Sequence, residues 1–229
     1  MKLTEKKKLF LKTLLILLIC MADIVWAAGA LYTWQSAGTT LSVKTASADI
    51  SGIFIQNLIV SAIPILLFII CLAVLKKQFF HQMYFKISNK KQMIIIVCLA
   101  AALSMLTLYC LVTKTDKITI LYNLLYYTVF VSLAEEFVIR DVCTYLLRME
   151  KDSVRYLIPN TLFAAMHIFS YANWGEITLH YLISFACSQM LGLIAMGCVF
   201  QYLKEKSGTI WIPVLVHALL DFLVVLSYQ

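Results

Sequence analysis

The chain has 229 residues, of which 62% are apolar and 14% charged, with a mean hydropathy of +0.88. Soluble domains run nearer 45–50% apolar and about 25% charged, so the composition excludes a water-soluble globular enzyme, a disordered chain and a secreted disulfide scaffold. The net charge of +7 (19 Lys and Arg against 12 Asp and Glu) is spread in short runs between apolar stretches, which is the pattern of membrane loops rather than of a nucleic-acid binder.

A helix needs about 20 mostly apolar residues to cross the hydrocarbon core. Seven such spans are read at about 9–33, 53–75, 93–113, 119–147, 154–172, 177–203 and 209–228. The expected fold is therefore an all-α polytopic transmembrane bundle, multi-pass in the cell membrane. Residues 1–118 form three N-terminal spans and 119–229 a four-span core. The sizeable loops are 35–52, rich in small polar residues, and 76–92, which is basic. The seven cysteines all fall inside apolar stretches without a CxxC pair, so disulfides and a thiolate zinc site are poor readings.

The positive-inside rule orients the bundle. With the N-terminus in the cytoplasm, Lys2 to Lys12, Lys76 to Lys91, Arg148 to Arg155, Lys204 and Lys206 lie inside, against Lys44, Lys114 and Lys117 outside. The expectation is N-in, C-out, with Trp34 and Trp174 at the outer interface and Trp211 at the inner one. A signal peptide is an alternative for the first span, since Ala27, Ala28 and Ala30 are small, but the apolar stretch is long for one.

Ionisable residues inside spans are costly and mark function by default. Asp23 stands alone in the first span and reads as a packing or partner contact. The fourth span holds Glu135, Glu136, Arg140 and Asp141; the fifth, Phe163 and His167; the seventh, His217 and Asp221. Glu136 and Arg140 are i,i+4 and share a helix face, as do Phe163 with His167 and His217 with Asp221. Glu135 is turned about 100° from Glu136, so the two carboxylates serve different purposes. Counted from Arg148, Arg155 and Lys206, the residues Glu135, His167 and His217 all lie roughly 16–20 Å from the inner edge at 1.5 Å per residue. Three helices thus bring chemistry to one level, with access expected from the cytoplasmic side. Asp141 is read as structural, facing Arg140 or a neighbouring helix. Asn123, Asn160, His180 and Gln189 are read as interhelical hydrogen-bonders.

Paired carboxylates with imidazoles suit water activation, one acid taking a proton from water and returning it to a leaving amine. A divalent metal such as Zn2+ is the alternative, with Glu135, His167 and His217 as candidate ligands. The cofactor is left unknown, because no HExxH helix is present and a metal-free glutamate mechanism is equally open. Ser132, Ser184 and Ser188 lack a GxSxG elbow.

In order along the chain, Glu135-Glu136-x-x-x-Arg140, Phe163-x-x-x-His167 and His217-x-x-x-Asp221 resemble the EExxxR, FxxxH and HxxxN/D motifs of the CPBP group, which joins CAAX prenyl endopeptidases to bacteriocin-processing and Abi proteins. The resemblance spans about 119–228. It implies an intramembrane endopeptidase, often described as a metalloprotease, acting on a membrane-associated peptide. It further implies that Glu135 and His167 activate water, Glu136 and Arg140 support them, and His217 with Asp221 stabilises the oxyanion. Asp221 stands where Asn is common, and an ionised Asp donates no hydrogen bond. Lys- and Ile-rich spans suggest a bacterial member, so bacteriocin or signalling-peptide maturation, or self-immunity, is the expected role. The competing reading is a non-catalytic adaptor that binds another membrane protein such as a sensor kinase. A transporter is disfavoured because the halves do not repeat. Expected partners are the lipid bilayer and a peptide or small membrane-protein substrate, with no nucleic acid.

Overall fold

The computed structural model describes residues 3–39, 41–168 and 178–227, and all regular structure among them is helical. The principal helices are α1 (Leu3–Ser36), α2 (Ile50–Val60), α3 (Ala62–Leu75), α4 (Lys90–Thr113), α5 (Lys117–Leu146), α6 (Asp152–Met166), α7 (Leu179–Ser207) and α8 (Trp211–Phe222). Five helical stretches are long and apolar enough to cross a membrane: α1, α3 with its continuation to Gln82, α4, α5 and α7. The expected fifth and seventh spans correspond to the shorter α6 and to α8 with its continuation to Ser227. The end of the expected fifth span, residues 169–172, the first residue of the sixth and Trp174 lie outside the described residues.

Side chains such as Phe10, Leu11, Val25, Ile94 and Val112 are exposed, an apolar surface that water would penalise and lipid accepts. Behind it, Ile16 and Cys20 of α1 are buried against a core of Phe137, Val138, Ile139, Val142 and Cys143 from α5, Phe163 from α6 and Val214 from α8.

The expected second span is divided at Ser61. Pro64 has no N–H to give to the carbonyl of Val60 and its ring crowds that turn, so the helix cannot run through. Ser61 leaves helical geometry (φ −85°, ψ 15°) while its N–H still reaches the Asn57 carbonyl. Loop 35–52 is also more ordered than its composition suggests. Its short helix Val43–Ala48 is tied to the start of α5, where the Ser47 hydroxyl donates to Asp116 at 2.5 Å and the Ser47 N–H donates to Thr119 Oγ1 at 3.0 Å. Burial pushes the Asp116 carboxyl up, but hydrogen bonds from Ser47 and Thr119 outweigh it and hold the group below the usual carboxylate range.

The ends of the bundle are sorted. At one end, Lys12 pairs with Glu150 at 2.6 Å, Arg155 with Glu205 at 3.1 Å, and the Gln92 amide donates to the Ser207 carbonyl at 2.6 Å. There Trp211 donates to the Phe85 carbonyl and packs edge-on against the Phe85 ring, within a cluster that includes Phe68, Phe79 and Phe137. At the other end lie the Ser47–Asp116 tie and Lys114, which donates to the Leu226 carbonyl.

Candidate active site

Helix α5 carries both motif acids and is not uniformly α-helical. Wide π-helical turns run over Tyr126–Leu133 and again over Glu136–Cys143, with Ala134 and Glu135 between them. The Ser132 hydroxyl donates to the Tyr127 carbonyl, five residues back, at 2.7 Å. Such turns are rare and frequent at functional sites.

The two acids are separated as their one-residue offset requires. Glu136 is fully buried, with Oε2 3.5 Å from Arg140 Nε and Oε1 3.0 Å from His217 Nδ1. Glu135 is 30% exposed and lines a cavity of about 290 Å³ that His167, Phe163, Met166 and Asp23 also line. His217 joins the two acids. Its Nε2 lies 3.3 Å from Asp221 Oδ2 and 3.8 Å from Glu135 Oε2. Two acceptors cannot bond each other, so a proton resides between that ring nitrogen and the carboxylates beside it. His167 closes the end of α6. Its Nδ1 donates to the Phe163 carbonyl at 3.0 Å, which fixes the ring, and the ring packs edge-on against Phe163 at 4.3 Å. An Nδ1–H bonded in this way leaves Nε2 as the nitrogen able to accept.

Arg140 is the largest fully buried side chain among the described residues. Its guanidinium lies over the Phe163 ring at 4.7 Å and near Phe200 at 5.6 Å, while Phe200 stacks on His217 at 4.9 Å. Aromatic faces attract a desolvated cation, which partly offsets the cost of burying it. Gly197 lets α7 approach: a Cβ there would stand 2.3 Å from Asn160 Oδ1 and 2.9 Å from Arg140 Nη2.

All seven motif residues therefore meet in one region, as their spacing and common depth predict. Residues 117–223 match the family model described as type II CAAX prenyl endopeptidase Rce1-like. Just under half of the chain is therefore similar to the Rce1-like family. No curated protein and no solved structure matches the chain. The Rce1-like family is one of membrane-embedded CAAX-type proteases, and the long apolar helices of this chain agree with a place in the membrane.

Residues outside the Rce1-like motifs divide between expectation and surprise. Asp141 faces a neighbouring helix, paired with Lys204 of α7 at 3.0 Å, and Asn160 reaches Gln201 across helices at 3.2 Å. Asn123 departs from its expected role, since both of its polar side-chain atoms are buried without a hydrogen-bond partner among the described residues. His180 and Gln189 are exposed, pointing away from the bundle interior rather than bonding across it. Asp23, expected as a packing or partner contact, stands in the cavity wall. Phe200, Gln201 and Gly197 carry no motif and were not legible as site residues. From Glu135 the cavity lining continues past Ser61 and Val60 to Tyr126 and Leu31.

A catalytic zinc needs three protein ligands aimed at one point. Here both nitrogens of His217 are engaged by carboxylates, and no metal-holding group of three His, Cys, Asp or Glu is found among the described residues. As arranged, Glu135, His167 and His217 do not fit a zinc set, and no step below runs through one.

Proposed function

We propose that this chain is an intramembrane endopeptidase that cleaves a membrane-associated peptide with a water activated by Glu135 and His167. The observation that carries the reading is that Glu135 and His167 line one small cavity within the bundle while Glu135 stands 3.8 Å from His217. A water between Glu135 and His167 gives a proton to Glu135 as its oxygen attacks the peptide carbonyl carbon. His217 turns its Nε2–H from the 3.3 Å contact with Asp221 to the oxygen that becomes negative, while the Nδ1 bond to Glu136 holds the ring. The C–N bond then breaks as the proton held by Glu135 passes to the leaving amine, and Glu135 returns ionised. Asp221 serves here as an acceptor that orients His217, which removes the difficulty of an Asp in place of Asn.

The N-in orientation completes the proposal, with the basic end of the bundle in the cytoplasm. So does the division of the chain into an N-terminal part, 1–118, and a catalytic core, 119–229. The substrate class is a bacteriocin or signalling-peptide precursor, or a peptide against which the cell protects itself. The test is cleavage of a candidate peptide library by protein in lipid nanodiscs, with and without chelator. Cleavage lost in Glu135→Gln supports the reading. If the cellular output persists with Glu135, His167 and His217 all replaced, the chain acts instead as an adaptor.

A further inference from the structure

Every acid inside the spans of the motif-bearing half has a basic partner: Glu136 with Arg140, Asp141 with Lys204, and Asp221 and Glu135 with His217. Asp23 differs. It comes from α1, outside the Rce1-like residues, and has no cationic partner or hydrogen bond among the described residues. An acid at that depth is costly unless a cation meets it. Asp23 and Glu135 come from different helices of one cavity wall, and among the described residues His167 is the only basic side chain that lines it. The remaining wall is mostly apolar and includes Ile24, Ala27, Val131 and Val138. At about 290 Å³ the cavity is at the small end of ligand pockets, sized for one side chain rather than a length of peptide.

We propose that Asp23 is a specificity residue that reads a lysine-like side chain of the substrate beside the scissile bond. A lysine fits each property of the cavity. Its four-carbon stem lies along the apolar wall, and its ammonium ion meets the unpaired carboxylate. The acid that recognises the cation and the acid that activates water then share one chamber, so the basic residue is placed next to the bond to be cut. This proposal rests on the peptidase reading above.

The experiment uses the full chain in nanodiscs and two matched fluorogenic peptides taken from the library. They differ only by Lys or its uncharged isostere norleucine at the flanking position. The expected kcat/KM ratio of Lys over norleucine exceeds tenfold and falls towards one in Asp23→Asn. A structural role for Asp23 would lower both peptides alike and leave the ratio unchanged, which overturns the proposal. A second readout does not need catalysis. In Ala27→Cys, a cationic aminoethyl thiosulfonate should react at position 27 at least tenfold faster than the neutral methyl reagent, read by peptide mass spectrometry. Adding Asp23→Asn should abolish that preference, and equal rates with Asp23 present overturn the proposal. Absence of any peptide cleavage together with a retained cationic preference would sink the peptidase reading while leaving the charge-reading cavity in place.

Discussion

Two buried charge clusters sit one turn apart on α5, and they are built oppositely. In the first, the Lys204 ammonium has three donors and three acceptors: Asp141 Oδ1 at 3.0 Å, Thr144 Oγ1 at 3.1 Å and the Arg140 carbonyl. One cation faces one carboxylate, and both side chains are almost fully buried although they line a cavity of about 760 Å³. In the second, acids outnumber bases. Glu135, Glu136 and Asp221 surround Arg140 and His217, the Arg140 guanidinium is held by a 3.5 Å ion pair and two aromatic faces rather than by well-aligned hydrogen bonds, and Glu135 and Asp221 each keep 30% exposure. A charge-balanced pair whose cation has all three acceptors fixes two helices together, even with Asp141 Oδ2 left without a hydrogen-bond partner among the described residues. An acid-rich and incompletely served cluster beside a cavity is where proton transfer has room to occur, since local rules are relaxed at functional sites.

The contrast is broken most sharply at Glu135. Glu135→Gln should lower peptide cleavage by about 10²–10⁴-fold, the usual worth of a general base, with little change in thermal unfolding because the side chain is partly exposed. The charge-balanced pair should give the reverse pattern. Lys204→Met leaves Asp141 buried and unpaired and should cost about 3–5 kcal/mol in denaturant unfolding. The double variant Lys204→Met/Asp141→Leu should recover most of that loss. A smaller effect is expected where the two clusters share their packing. Gly197→Ala drives a methyl group into Asn160 and Arg140 and should destabilise by about 1–3 kcal/mol, the cost of overpacking. An intact melting temperature would show that α7 shifts freely.

The smallest effect belongs to the far end of the bundle, where Asp116 provides a reference outside both clusters. Its folded-state pKa is depressed, so the stabilisation is present above the unfolded value and is lost as pH falls through the folded one. Wild-type melting temperature should therefore decline below about pH 4, and Asp116→Asn should flatten that decline. Equal acid slopes for the two proteins would remove Asp116 from the account.

The site was legible where chemistry is expensive. Charged residues inside apolar stretches are few, so Glu135, Glu136, Arg140, His167, His217 and Asp221 stand out, and helical rise alone brings them to one depth. The motif spacing then carried the family. Side chains whose role depends on what lies opposite them could not be read in this way. Phe200 is one apolar residue among many until Arg140 and His217 are seen beside it. Asp23 is a solitary acid until α1 is packed against α5. The break at Ser61 had a sequence signal in Pro64, but apolar periodicity runs straight across it. The short helix in loop 35–52 had almost none, because it is held by Thr119 and Asp116 about 70 residues away.

The wide turns of α5 have a consequence for how this helix tolerates changes in length. In a regular α-helix each residue advances the phase by about 100°, so losing one residue from α4 would swing everything beyond it onto a new face. A π turn already holds a surplus residue. Deleting one position within Tyr126–Leu133 can tighten that turn to an ordinary one and leave the two acids facing as before. The rod that carries the proposed chemistry thus contains its own slack, directly ahead of the residues whose aim matters most.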